Sequence, residues 1–322
     1  MNAPQPKTIF ISVAAFVDPL LFFTVCRAIH RAKHPERLRF GIVEQGLSNN
    51  AWLYGQDSRI RYKYFHPVDS HGVCWARAQV QTMFAGEDLY LQIDSHTSFV
   101  QDWDQLLEDE YYKLFTVSSK PILSTYPPVF TLSNTGQEEL SYTNPDYALA
   151  MAPMPDAVIT RENPVVMFRG TWVLGRKPVI GFHLAGGFIF TSGKFVQEVP
   201  YDEKLYFHGE EQNLALRAFT HGWDVFHPNV LPLFHKYKQA GDDHVAHHWH
   251  ATWEAQRTMK WPDRQKAANQ RLRDLLDEKI PASDPCSLGP LRTVKGFYDF
   301  TGIDYINNKI DRNMHGWLNP GS

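Results

Sequence analysis

The stretch Leu91–His96, LQIDSH, joins an apolar run to an acid, a hydroxyl and an imidazole. A short apolar run that ends in polar residues is typical of a buried strand, so Asp94 and His96 stand where that strand ends. Both side chains can reach one metal ion if the strand gives way to a turn. A carboxylate oxygen with an imidazole nitrogen favours a transition ion such as Mn²⁺ over Mg²⁺ or Ca²⁺. The alternative is an aspartate that caps a turn beside an unrelated histidine.

Strand and helix patterns alternate on both sides of this stretch, over about the first 130 residues. Such alternation predicts an α/β fold with a largely parallel, doubly wound sheet. Ligands of these sheets bind beyond the carboxyl ends of the strands, where Asp94 and His96 are expected. The predicted strands are 8–16, 37–46, 60–66, 88–94 and 120–127, and the predicted helices are 19–34, 73–84 and 103–114.

The rest of the chain has a different character. Residues 127–178 are rich in proline and turn formers, which predicts loops and an antiparallel excursion on the acceptor side. Residues 263–280 have an amphipathic, charge-laced pattern that predicts a helix packed on the catalytic body. We therefore expect a catalytic domain at 1–238, with halves at about 1–130 and 131–238, and a His- and Trp-rich C-terminal extension with a helical appendage at 239–322.

Composition narrows the class of protein. The 322 residues are 43% hydrophobic and 14% aromatic, which is enough for a substantial core. A formal net charge of -3 without a basic block argues against a nucleic-acid partner. No apolar run is long enough to span a membrane. An odd number of cysteines, three, without a CxxC motif is typical of a reducing compartment, so a cytoplasmic protein is expected.

Two further motifs carry possible chemistry. Gly186 and Gly187 would let the backbone approach a sugar or phosphate closely. Glu210 and Glu211 open a predicted helix that Gly222 ends. They are either ordinary partners of the helix dipole or acceptors of hydrogen bonds from sugar hydroxyls. The sequence does not say which glutamate has which role.

His235 follows the apolar stretch LPLF and is a candidate third metal ligand, the alternative being a structural histidine. A dense histidine cluster comes next, at His244, His247, His248 and His250. It invites a second metal site, but a loop held by neighbouring tryptophans is the favoured interpretation, with His247 as a reserve third ligand.

The sequence around each tryptophan indicates where its side chain lies. Trp249 and Trp261 lie in polar stretches and are the candidates for stacking on a ligand. Trp52, Trp75, Trp103 and Trp172 are expected in the core.

In order, DSH, GG, HGEE and a later histidine resemble the retaining polypeptide N-acetylgalactosaminyltransferases. The chain more closely resembles the polypeptide-hydroxyproline N-acetylglucosaminyltransferase family, glycosyltransferase family 60, over nearly its whole length. The blocks that carry this resemblance are FGIVEQ, CWARAQVQ, YLQIDSHTSFVQDWD, AGGFIF, HGEEQNLALRAFTHGWDVFHP and RTVKGFYDFTGIDY.

The resemblance implies a GT-A fold, a mixed Rossmann-like sheet with helices on both faces. It also implies Mn²⁺ or another divalent cation, a UDP-sugar donor such as UDP-GlcNAc, and transfer with retention to a hydroxyl of a protein. The sequence leaves open GlcNAc, GalNAc and glucose as the sugar. It also leaves open hydroxyproline, serine, threonine, a glycan and a small metabolite as the acceptor. By position, the implied metal ligands are Asp94, His96 and His235. The implied donor-binding residues are Asp18, Arg77, Asp94, Ser95, Gly186 and Gly187, and the implied catalytic residues are Glu210, Glu211 and Asp94.

One residue and one longer stretch depart from the family pattern. Val17 stands where the family has an arginine before Asp-Pro, and KQAGDDHVAHHWH lacks the family's arginine-rich run.

No nucleophile stands at a diagnostic spacing, so same-face attack is the expected route to retention. Two other functions stay open: a metal-dependent UDP-sugar hydrolase, and a non-catalytic binding module on a degenerate transferase fold.

Overall fold

The computed structural model describes residues 7–238, 247–312 and 314. Within these residues the strands are β1 (Ile9–Phe16), β2 (Leu38–Gln45), β3 (Ile60–Phe65), β4 (Leu89–Asp94), β5 (Thr97–Phe99), β6 (Pro121–Ser124), β7 (Phe130–Leu132), β8 (Glu138–Leu140), β9 (Tyr147–Pro153), β10 (Phe168–Leu174), β11 (Val179–Gly181), β12 (Phe188–Ser192), β13 (Asp224–His227), β14 (Leu233–His235), β15 (Ile303–Asp304) and β16 (Lys309–Ile310).

The α-helices are α1 (Leu21–Arg31), α2 (Ala51–Tyr54), α3 (Val73–Gln81), α4 (Trp103–Lys113), α5 (Lys194–Glu198), α6 (Glu210–Thr220), α7 (Ala251–Glu254), α8 (Trp261–Leu276) and α9 (Val294–Thr301). Short 3₁₀ helices occupy Pro35–Arg37, Pro67–Asp69 and Leu114–Thr116. None of the helices described is both long and apolar enough to cross a membrane.

Eight strands form one mixed sheet in the order β11-β13-β6-β12-β4-β1-β2-β3. Strands β3, β2, β1 and β4 are parallel, as the alternating pattern predicts. Strand β12 runs antiparallel to both β4 and β6. Because of that reversal, the amino end of β12 lies beside the carboxyl end of β4. The two glycines before β12 are therefore brought to the edge of the sheet where Asp94 lies.

The two faces of the sheet are covered by separate apolar clusters. Along β1, Phe10 belongs to one cluster, while Ile9 and Ile11 belong to the other. This alternation is what a strand with helices on both faces requires. The first cluster includes buried residues of α3, α6, α8 and α9, and the second includes those of α1 and α4. The predicted doubly wound α/β architecture is confirmed.

The described part of the C-terminal extension shares its core with the sheet. Leu272 and Leu276 of α8 are buried in the same cluster as Leu214 of α6. The predicted amphipathic helix is therefore present and buries its apolar face, while the domain boundary at 238 stays a prediction.

The proline-rich middle of the chain forms two antiparallel hairpins, β7–β8 and β9–β10, which confirms the antiparallel excursion. Among the tryptophans expected in the core, Trp103 is fully buried. The expectation is wrong for Trp52 and Trp172, whose exposed fractions are 71% and 53%. Both lie on elements with one face open to solvent.

Candidate metal and donor site

Strand pairing brings the candidate metal ligands together. Strand β5, directly after the DSH stretch, pairs with β14 so that Thr97 lies opposite His235. The Nε2 atom of His235 lies 3.1 Å from Asp94 Oδ2 and 2.9 Å from His96 Nε2. One ligand atom from each of the three residues lies within 4.8 Å of the other two. Two imidazole nitrogens and a carboxylate oxygen that converge in this way fit a transition ion.

Asp18 contacts the cluster through His96 Nδ1, the ring nitrogen that does not face His235. Its Oδ2 lies 2.6 Å from His96 Nδ1 and accepts a hydrogen bond of 2.5 Å from the Ser95 hydroxyl. Its Oδ1 accepts the Leu20 N–H at 2.8 Å. Burial alone would raise the pKa of Asp18, but the hydrogen bond with His96 contributes to a pKa below its usual range. A carboxylate on the far nitrogen of a ligating histidine fixes the ring and its tautomer.

The chain reaches Asp18 through an uncommon backbone conformation. Val17 has a φ of 47°, in the left-handed region that β-branched residues rarely adopt. Its N–H donates to the Gln45 carbonyl at 2.8 Å, just past the parallel pairing of β1 with β2. Strain of this kind is retained where the surrounding structure requires it, often beside functional residues.

Arg77 of α3 links two acids across the site. Its Nη2 donates to Asp94 Oδ1 at 2.7 Å, and its Nη1 pairs with Glu210 and lies 3.3 Å from the Tyr201 hydroxyl. Burial raises the pKa of Asp94, but the His235 hydrogen bond and the Arg77 charge outweigh it and hold this pKa far below its usual range. Arg77 therefore keeps Asp94 ionised and oriented.

The two glutamates at the start of α6 have different surroundings. Glu210 is buried against Arg77 and Tyr201, and burial raises its pKa. The Glu211 side chain keeps an exposed fraction of 34%. Its Oε1 accepts the Gly186 N–H at 2.7 Å, and its Oε2 lies 3.6 Å from His183 Nε2. Glu211 therefore has the more exposed carboxylate of the pair, although both glutamates line the same cavity.

The glycine pair passes very close to these charged groups. A Cβ on Gly186 would lie 2.5 Å from Arg77 Nη1, and one on Gly187 would lie 2.8 Å from Asp94 Oδ2. Any larger residue would displace one of these side chains. The backbone therefore passes close to these protein side chains, and its approach to a sugar or phosphate stays a prediction.

Two cavities meet at Asp94. The histidine cavity, about 330 Å³, is lined by residues that include Phe16, Asp18, Ser95, His96, His235 and Trp249. The glutamate cavity, about 270 Å³, is lined by residues that include Arg77, His183, Gly186, Gly187, Glu210 and Glu211. All the predicted site residues thus line one or both cavities.

The later histidines do not converge. His248 is buried between the Tyr206 hydroxyl, 2.6 Å from Nδ1, and the Ser70 hydroxyl, 2.9 Å from Nε2. His247 stacks on Trp249 at 4.7 Å, and His250 caps α7. His244 lies outside the described residues. In the described part of the chain, Asp94, His96 and His235 are the one group of three that could hold a metal ion.

Sequence reasoning missed three residues of the site. Gln92 donates to the Tyr201 hydroxyl at 2.6 Å and to the Gly186 carbonyl at 2.7 Å, so it fixes the glycine pair. His183 is 2% exposed, stacks on Phe168 and has no hydrogen-bond partner at Nε2 among the described residues. A glutamine inside the apolar LQID run was the available signal for Gln92. Nothing comparable marked Tyr201 or His183.

The chain is similar to known proteins both in sequence and in fold. A family model described as glycosyltransferase (GlcNAc) matches residues 8–54 and 50–307. A search of curated proteins gives no match. A crystal structure of GalNAc-T7 with UDP, GalNAc and Mn²⁺ superposes with a TM-score of 0.56 at 12% identity, covering 74% of this chain and 45% of that chain. The chain therefore spans less than half the length of that relative.

Two other solved structures are more distant. The mannosyltransferase PcManGT from Pyrobaculum calidifontis, in complex with GDP-Man and Mn²⁺, has a TM-score of 0.45 at 9% identity, covering 74% of this chain and 59% of that one. Residues 1–349 of TarS from S. aureus give 0.43 at 10% identity, covering 71% and 60%. With its mixed sheet and the family match over most of its length, the chain has the GT-A fold and belongs to the glycosyltransferase (GlcNAc) family.

Proposed function

We propose that the protein is a divalent-metal-dependent transferase that moves GlcNAc from UDP-GlcNAc to a protein hydroxyl, with retention of the α-anomer. The convergence of Asp94, His96 and His235 beside an acidic cavity carries the proposal. The family description names GlcNAc, and the GalNAc-T7 structure contains UDP and Mn²⁺. The blocks shared with the hydroxyproline-specific family support hydroxyproline as the acceptor side chain.

The three ligands would hold the cation with positions left open for the donor. When bound, such a cation neutralises the charge that grows on a departing diphosphate. The chain's own part is to hold the ligands in place: Asp18 orients His96, and Arg77 keeps Asp94 ionised. An arginine tied to two carboxylates in this way acts first as a positioning residue.

The two cavities suit the two parts of the donor. We assign the nucleoside to the histidine cavity, where Phe16 and Trp249 offer aromatic walls. We assign the sugar to the glutamate cavity, where Glu211 can accept hydrogen bonds from its hydroxyls. The diphosphate would then lie at Asp94, which both cavities share.

Same-face attack accounts for retention. The sugar C1–O bond to the diphosphate breaks, a C1–O bond to the acceptor forms on the same face, and a phosphate oxygen takes the acceptor proton. Glu210 is engaged by Arg77 and Tyr201, so it is poorly placed to act as a nucleophile. Glu211, held by the Gly186 N–H, positions the acceptor and stabilises the cationic transition state.

The test is UDP release from a panel of UDP-sugars with Mn²⁺ or with EDTA, for wild type and Asp94→Asn. We expect metal-dependent turnover of UDP-GlcNAc that the variant lacks, and an α-linked product by NMR. Release of UDP and free sugar at full rate without any acceptor would instead identify a hydrolase. UDP binding without turnover of any sugar would identify a binding module.

A further inference from the structure

Strand β10 belongs to the β9–β10 hairpin and begins beside the glutamate cavity. Met167 and Phe168 line that cavity, and β10 begins at Phe168. Its only strand partner in the described part of the chain is β9, in a two-stranded sheet. Among the described residues no strand pairs with the second edge of β10, which begins at the cavity.

The pairing register identifies the backbone groups on the open edge. In β9, the Leu149 carbonyl accepts a threonine hydroxyl at 2.5 Å, and the Met151 N–H donates to a histidine ring at 3.3 Å. Both residues therefore direct their backbone away from β10. Their partners across the hairpin are Trp172 and Gly170. In an antiparallel ladder, residues opposite such positions also point outward, so the N–H and C=O groups of Gly170 and Trp172 face the open edge.

Three exposed apolar side chains lie on or next to this strand, together with the exposed Arg169. Met167, Trp172 and Leu174 have exposed fractions of 50%, 53% and 75%. Proteins usually protect a long edge strand, because its unpaired backbone groups are a template for another strand. The edge of β10 thus combines the outward backbone groups of Gly170 and Trp172 with exposed apolar side chains next to the glutamate cavity.

We propose that β10 binds the acceptor as an extended polypeptide strand, which places the acceptor hydroxyl beside Glu211. This inference rests on the transferase function proposed above. Outward-facing residues of a strand recur every ~6.6 Å, and only another backbone presents donors and acceptors at that repeat. A free sugar or a small metabolite does not. Because the edge begins at the glutamate cavity, we assign it to the acceptor substrate.

The first experiment uses the acceptor's own backbone. Ten-residue peptides with a central hydroxyproline, serine or threonine are assayed with UDP-GlcNAc and Mn²⁺, each with a single N-methyl group moved along the chain. Strand addition predicts an alternation: N-methylation at every second position raises KM about tenfold, and at the positions between by less than about threefold. Equal effects at neighbouring positions would overturn the inference.

The second experiment uses two variants of one residue. Trp172→Pro removes the outward N–H, and Trp172→Ala removes only the side chain. The proline variant is expected to raise the peptide KM about tenfold and the alanine variant about threefold or less, with melting temperature and UDP–Mn²⁺ binding measured on both. A proline variant that keeps its fold and the wild-type peptide KM would contradict strand pairing.

Two outcomes separate this inference from the function on which it rests. Metal-dependent transfer to free sugars or amino acids, but to no peptide, would leave the transferase standing and overturn the strand site. No UDP release from any donor would overturn both. A dimer by light scattering that Trp172→Pro dissociates, with no effect on peptide KM, would assign the edge to a second copy of the chain instead.

Discussion

The sequence offers two sets of histidines as possible metal ligands, and the structure treats them differently. His96 and His235 are 139 positions apart, yet their Nε2 atoms lie 2.9 Å apart with Asp94 beside them. His247, His248 and His250 lie within four residues of one another, and each has a different partner. The comparison teaches that side chains at strand ends can converge on one point from distant parts of the chain, whereas the three described histidines of the dense cluster do not converge.

The largest effect is expected from a change in the convergent set of Asp94, His96 and His235. Asp94→Asn should lower kcat/KM for UDP-GlcNAc by about 10³-fold, because it removes a charged group from the proposed site of the metal and the diphosphate. The matched control is His250→Gln, which should stay within about twofold because His250 caps a short surface helix. Equal losses in both variants would erase the distinction between the two regions.

The next effect separates the two glutamates. Glu211→Gln should lower kcat by about 10²-fold while the fold stays intact, because its carboxylate borders the open cavity. Glu210→Gln should instead lower the free energy of unfolding by about 3 kcal/mol, because it leaves buried Arg77 with one charged partner fewer. Steady-state kinetics and urea unfolding on both variants measure this. The reverse pattern would exchange the two roles.

A smaller effect tests how the convergent set is held. Asp18→Asn keeps the size of the side chain but weakens the contact with His96 Nδ1, so Mn²⁺ affinity should fall between about tenfold and 100-fold. Equilibrium dialysis of Mn²⁺ measures this. Asp69→Asn, in the surface 3₁₀ helix, is the control. An unchanged affinity in Asp18→Asn would mean that Asp18 serves the donor alone.

The sequence predicts the ends of strands well, because an apolar run that stops at an acid marks a sheet edge from local information. It does not predict that His235 pairs opposite Thr97, since that contact depends on a sheet built from distant segments. The contact of Asp18 with His96 was missed for the same reason. The expectation that Trp172 lies in the core is wrong because the local sequence pattern does not say which face of a strand is exposed to solvent.

The smallest expected effect concerns the dispersed histidines and appears in stability. Burial, with the nearby charge of Arg257, lowers the pKa of His248 to about 3. The unfolded chain takes up this proton near pH 6.5, so the free energy of unfolding falls as the pH drops from about 6.5 toward 3. Between pH 8 and pH 5, this histidine should account for about 2 kcal/mol of that loss.

Urea unfolding at the two pH values tests this on wild type, His248→Gln and His250→Gln. The loss between pH 8 and pH 5 should shrink only in His248→Gln, because His250 is exposed at the surface. A loss that is the same in all three proteins would mean that His248 does not titrate in this way.

The most direct test of the convergent site is calorimetric titration of Mn²⁺ into wild type, His235→Gln and His250→Gln in the presence of UDP. We predict one equivalent bound by wild type and by His250→Gln, and at least about 100-fold weaker binding by His235→Gln. Wild-type affinity in His235→Gln, with loss in His250→Gln, would place the metal in the other histidine region and contradict the account.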